Sequence, residues 1–410
     1  MRKLLILLMT FLVVLAFSRS VVEIWVTWTG DEYRIIEDLV KKFNQSQEEY
    51  TAKVISVSNL AVKFTTALAA GNPPDLVHAN DQYIAPIVAM GGFMPLDDMN
   101  VNLEQFQDFV VESVKYNGHI YAFPIKVSIF GIWWNKDVFK KAGLDPDKGP
   151  QSLEELVEYS KKLTKYDEEG NLVGWGVDPL VPQWNWPYVW VYHFGGKLID
   201  PEKGSITIDS PEAVKTFKWV LDYLKNFGME KVEKFRGGYG PYWSASNPFV
   251  SGKLAIFYDG DWVTHVFRLY APDAELGFAP LPSIDGKKRC YVEVDVFSIP
   301  VGAKNVEGAK KFLEFLSKPE NLIKLSGGQL SPLKEEYTPS SFFKKRRYSR
   351  KILEVLKESE MFFCPKFPLW HLYLEEMDNA VEEMQAGTMS VEEALKTIKR
   401  NLERRMRKGK

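Results

Sequence analysis

Carboxylates and tryptophans recur in this chain at the ends of short apolar runs. Asp81 follows the run 75–79, and Asp259 and Asp261 close the run 253–258. Trp28 follows the β-branched run 21–27, and Trp262 comes directly after Asp261. In an open α/β sheet, ligands bind beyond the carboxyl ends of the strands. There a carboxylate accepts hydrogen bonds from neighbouring hydroxyls, and a flat ring covers an apolar C–H face. That pairing of chemistries suits a sugar. Plainer readings stand beside it. Asp81 also suits an N-cap for a helix starting at Ile84, and Trp28 also suits a ring that caps the sheet from inside.

Two further groups carry chemistry. Glu293 and Asp295 stand two apart, on one face of an otherwise apolar strand over 291–300. Buried carboxylates in a strand need partners, which either a ligand or a structural Lys or Arg supplies. Two aromatic stretches complete the set. Residues 181–190 hold Trp184 and Trp186, which an extended chain would point to opposite sides, so at least one is expected to face outward. Residues 235–246 form a Gly/aromatic loop with Tyr239, Tyr242 and Trp243.

The elements that position these residues alternate. A strand over 21–27 precedes an amphipathic helix over 31–44, with Ile35, Ile36, Leu39, Val40 and Phe43 on one face. A strand over 52–57 follows, then a helix ended by Gly71 and Pro73-Pro74, then the strand 75–79. Strand–helix alternation predicts a mainly parallel sheet covered on both faces. Asn117-Gly118 marks a hairpin. Gly143 closes a short helix, Ser152 with Glu155 reads as a capping box, and Ser210-Pro211 reads as a cap and first turn. Two helices, 375–385 and 391–405, close the chain.

The chain has 410 residues, 45% of them hydrophobic and 26% charged, with formal net charge -2. That size predicts one large or two medium domains, and that charge argues against nucleic acid as a partner. Residues 1–20 read as a signal peptide: Arg2-Lys3, an apolar stretch over 4–17, then small residues at Ser18 and Ser20. An uncleaved anchor is the alternative. The mature chain is expected outside the cytoplasm. Cys290 and Cys364 either pair or remain two buried thiols, and the second is the simpler expectation. No His pair has metal-ligand spacing, and neither a G-x-S-x-G elbow nor a complete phosphate loop is present. No cofactor is expected. The carboxylate pairs would suit a glycosidase, but such pairs arise by chance among 54 acidic residues.

The chain resembles the bacterial extracellular solute-binding proteins of sugar ABC transporters, the maltose-binding-protein-like group. The resemblance runs from about residue 22 to 402 and is carried by 67–76, 116–124, 135–144 and 249–262, the last containing Gly252-Lys253-Leu254-Ala255. It implies an α/β, two-lobe periplasmic binding protein fold of type II, with a hinge and an interlobe ligand cleft. It places one lobe at 21–126 plus 298–340 and the other at 127–297 plus 341–410, with crossings near 126–129, 296–298 and 339–343. The implied ligand-binding residues are Trp28, Asp81, Trp184, Trp186 and Trp262, with Trp370 near an aromatic position of the family. Tyr239, Trp243, Asp259, Glu293 and Asp295 join them from the loops and strands above. The implied function is that of a non-enzymatic, monomeric receptor in the periplasm or another extracytoplasmic space. It binds a sugar or oligosaccharide and delivers it to a membrane permease. An exported glycoside hydrolase, or a receptor for a polyamine or sugar phosphate, is the alternative.

Overall fold

The computed structural model describes residues 19–181, 186–200, 204–327, 329–344 and 348–408. The signal-peptide reading therefore falls almost wholly outside the described residues, as does Trp184. The chain divides into two compact units. Unit 1 holds 1–126, 294–327 and 331–339, and unit 2 holds 127–293, 328–330 and 340–410.

Unit 1 is built on parallel strands. Ser20–Val26 pairs with Tyr50–Ser56 on one side and with Leu76–Asn80 on the other. The returning segment Asp295–Ser298 then pairs antiparallel with Leu76–Asn80, setting Asp295 opposite Asn80. The helix Gly30–Ser46 buries Ile36, Leu39, Val40 and Phe43. Phe43 meets Phe312 and Phe315 edge-on at 5.2 and 5.5 Å. The helix Leu60–Ala69 ends where Gly71 takes φ +67°, which its missing Cβ permits. Its Leu60 and Phe64 pack with Val57, Val77, Ile87 and Phe93. This packing orders the chain so that Trp28 and Asp81 both leave the sheet at the carboxyl ends of parallel strands.

Unit 2 centres on the strand Phe123–Asn135 beyond its crossing at Lys126, which pairs antiparallel with Leu254–Gly260 and with Leu276–Ala279. Leu254–Gly260 pairs parallel with Leu172–Val177. Helix caps form as the sequence predicts: Ser152 Oγ accepts from Glu155 N at 3.1 Å, and Ser210 Oγ from Ala213 N at 3.2 Å. Glu155 reaches back to the Gln151 amide at 2.6 Å, one residue before the cap. The aromatic stretch departs from expectation. A helix, Trp186–His193, begins where an extended chain was expected. Pro187 fits there because a first helical turn needs no donor from its nitrogen. The last helices are Trp370–Ala386 and Val391–Lys408, and the first starts five residues before the expected 375. Cys290 and Cys364 are both buried and free, so the disulfide alternative does not form. Among the described residues no helix is long and apolar enough to cross a membrane.

Candidate functional site

In unit 1 the loop after Ser20–Val26 carries Trp28, and the end of Leu76–Asn80 carries His78, Asn80 and then Asp81. Trp28 meets the Lys126 cation directly, and His78 and Asn80 reach it through Asp295. Lys126 is buried, with Nζ 2.8 Å from Glu32 Oε1 and 3.2 Å from Asp295 Oδ2. Its charge also lies 4.7 Å from the centre of the Trp28 ring, a cation–π distance. Asp295 Oδ1 accepts from Asn80 Nδ2 at 2.7 Å and lies 3.2 Å from His78 Nε2. The other imidazole nitrogen, Nδ1, is 3.3 Å from Thr27 Oγ1. The His78 ring sits 4.5 Å from Trp28, and Phe297 closes the group at 5.9 Å from Trp28.

Electrostatics keeps this pair ionised. Burial pulls the Lys126 pKa down, but the carboxylates of Asp295 and Glu32 outweigh it and the net shift is upward. Burial pushes Asp295 up, but the Lys126 charge and the His78 contact bring it below the ordinary carboxylate range. Of the two origins open for its partner, the structural lysine is the one present. The carboxylate at 295 is thus held by protein groups on both oxygens, which sets the direction of the Asn80 amide. Trp28 is buried, with the Lys126 charge 4.7 Å and the His78 ring 4.5 Å from its ring centre. Asp81 is not a cap: the helix Ile84–Ala89 has no side-chain cap bond, and Asp81 Oδ1 accepts instead from Val294 N at 3.3 Å. The folded chain holds Glu293 as the buried last residue of its segment in unit 2.

Unit 2 carries a second set. Asp259 is fully buried; Oδ1 accepts from Gly260 N at 2.9 Å and Oδ2 accepts from the Tyr242 hydroxyl. Burial, reinforced by the Asp259 charge, pushes the Tyr242 phenol well up, so it remains a donor. Trp262 stands edge-on to Phe130 at 5.0 Å, and Phe130 packs on Tyr291 at 4.8 Å. The Gly/aromatic loop is pinned at two hydroxyls, because Tyr239 also donates to Asp178 at 3.2 Å. Asp178 is in turn held by Arg236 through two bonds of 2.9 and 2.7 Å. Trp243 projects from this loop with 48% of its surface exposed, which makes it the most open of the candidate tryptophans described. Trp186 heads a helix, and its side chain is outside the described set. Trp370 is 1% exposed and stacked on Tyr373 at 4.7 Å, so its ring is packed within the helix it begins.

Sequence reasoning missed Lys126, His78, Asn80 and Glu32. The signal for Lys126 was present: one cation inside the apolar run 122–130 needs a counter-charge as surely as Asp295 does. Among the described residues no group of three His, Cys, Asp or Glu is arranged to hold a metal ion.

A parallel-strand unit with aromatic and amide groups at its carboxyl edge, joined by several crossings to a second α/β unit, defines the class of two-lobe periplasmic binding proteins. Residues 27–323 match the family described as bacterial extracellular solute-binding protein, and the chain belongs to that family. It is 26% identical to an ABC transporter extracellular-binding protein of Pyrococcus horikoshii, over 76% of this chain and 72% of that one. It is 26% identical to the sn-glycerol-3-phosphate-binding periplasmic protein UgpB of Salmonella paratyphi A, over 75% of this chain and 72% of that one. The solved structure of CpMnBP1 with mannobiose bound superposes with TM-score 0.86 at 26% identity, covering 94% of this chain and 100% of that one.

Proposed function

We propose that this protein is the exported, extracytoplasmic receptor of an ABC importer, that it binds a neutral sugar or short oligosaccharide, and that it hands the intact ligand to a membrane permease. The observation that carries the reading is the composition of the two residue sets. Trp28, Asn80 and Asp81 in unit 1, and Tyr242, Asp259 and Trp262 in unit 2, combine flat rings with hydroxyl-binding carboxylates and an amide. Rings cover sugar faces and carboxylates hold sugar edges.

Relatives differ in what their names say they bind, mannobiose for one and sn-glycerol 3-phosphate for another. Charge favours the neutral class here. A phosphate wants a cation to spare, and Lys126 already faces two carboxylates at 2.8 and 3.2 Å. The further residues of the set are Tyr239, Trp243 and Glu293, with Asp295 acting through its neighbours.

The test is calorimetric titration and thermal denaturation of the purified protein with mannobiose, longer mannosides and maltosides, and sn-glycerol 3-phosphate. A sugar at a hundred times its dissociation constant should add about 2.7 kcal/mol of stability. The expected result is a shift from a sugar, none from the phosphate, and recovery of the sugar uncleaved. A shift from sn-glycerol 3-phosphate alone would overturn the ligand class, and a cleaved sugar would overturn the receptor reading.

A further inference from the structure

Lys126 is one of two buried cationic side chains among the described residues, Arg289 being the other. It is also the last residue of its segment in unit 1, at the point where the chain crosses, and Asp295 is the second residue of the segment that returns. Its ammonium therefore ties the first turn of the helix Gly30–Ser46, through Glu32, to the outgoing strand and to the returning strand. Around it, the Trp28 ring lies under the charge, and Asp295 passes the constraint to Asn80 and His78.

We propose that Lys126 is the positioning residue of the unit 1 site, fixing the Trp28 ring and the Asn80 amide and supplying the positive charge that Asp295 would otherwise draw from the His78 imidazole. The electrostatic argument is local. His78 faces Asp295 from the returning strand, Thr27 and Trp28 from the preceding loop, and Phe297. Asp295 faces Lys126, and Lys126 faces Glu32. A buried carboxylate requires a compensating positive charge. Lys126 supplies it at 3.2 Å from Oδ2, while His78 Nε2 lies 3.2 Å from Oδ1 of the same carboxylate and Nδ1 lies 3.3 Å from Thr27 Oγ1. Without Lys126, the imidazole 3.2 Å from Asp295 is the nearest group able to take up a proton.

The role in ligand binding rests on the function proposed above; the state of His78 does not, and the test separates them. Lys126→Met and Lys126→Arg are compared with the wild-type protein by NMR titration of the His78 imidazole and by calorimetry with mannobiose at pH 5 to 8. Lys126→Met should raise the His78 pKa by at least one unit, weaken mannobiose about tenfold or more, and make the remaining affinity vary with pH. Lys126→Arg should restore the wild-type pattern. An unchanged His78 titration in Lys126→Met overturns the proposal, and so does an affinity loss with a flat pH profile, which would mark a merely structural lysine. If Lys126→Met does not fold, the double variant Lys126→Met/Asp295→Asn removes both charges together. It should fold, leave the His78 titration near wild type, and still bind mannobiose about tenfold more weakly; wild-type affinity in it overturns the proposal. Failure of the wild-type protein to bind mannobiose would count against the sugar reading, while the NMR comparison would still decide what Lys126 does.

Discussion

Asp81 shows how little a residue's type settles without its neighbours. Its Oδ1 accepts a bond from the Val294 amide inside the sheet edge, so a change to alanine would strand a buried donor at a cost of about 1–3 kcal/mol. Asp81→Asn keeps that acceptor and removes only the charge. Under the receptor reading it should weaken sugar binding about tenfold with the unfolding midpoint nearly unchanged, measured by calorimetry and by denaturant titration. Trp262→Ala should likewise weaken binding while unit 2 stays folded; wild-type affinity in both variants would remove these residues from the site. Asp295 belongs to a different case. Asp295→Asn leaves Lys126 short of one counter-charge in a buried place, and the expected effect is a stability loss of about 3–5 kcal/mol. Legibility at this scale was uneven. Asp81, Asp295 and Trp262 were visible because a polar or bulky residue ends or interrupts an apolar run. Lys126 was not recognised because its partners are remote: Glu32 is 94 positions away and enters from another element.

At the scale of elements, short-range signals transferred almost unchanged. The Asn117-Gly118 pair takes φ values of 48° and 84°, the Gly143 stop takes 71°, and the Ser152 and Ser210 caps all form, because each depends on fewer than five residues. The helix Trp186–His193 did not transfer. A run of aromatic and β-branched residues has strand propensity, yet Val189, Trp190 and Val191 are buried within unit 2 and packing decides their state. That helix ends in His193, which is fully buried, with Nδ1 3.0 Å from Ser283 Oγ. Burial, helped by the Arg289 charge, lowers its pKa from 6.5 to about 3. The unfolded chain therefore binds a proton near pH 6.5 that the folded chain refuses until about pH 3. Stability from this group is complete above that window and falls on acidification through it, by at most about 1.4 kcal/mol per pH unit. Denaturation midpoints measured between pH 7 and 4 should fall, and His193→Gln should flatten the slope.

At the scale of the whole molecule, each unit is assembled from three stretches of chain, and neither is continuous in sequence. Alternating strands and helices announced the class, and the family resemblance supplied the two-lobe plan that periodicity alone does not contain. Asp295 and His78 are 217 positions apart and share one hydrogen bond. The unit 1 site therefore exists only when distant stretches have come together, so a truncated chain ending before the returning strand should lack it.

The two thiols carry a separate consequence. Cys290 and Cys364 both lie in unit 2, and burial raises the Cys290 pKa to about 11. Cys290 thus offers an oxidant almost no thiolate, and Cys364 is shielded by burial. The same seclusion makes the cysteines a built-in clock. A thiol-specific reagent reaches them only when unit 2 opens, so its labelling rate, divided by the rate for denatured chain, reads the opening equilibrium of that unit alone. Bound ligand that touches unit 2 should slow the clock, whereas one held by unit 1 alone should leave it running at its free rate.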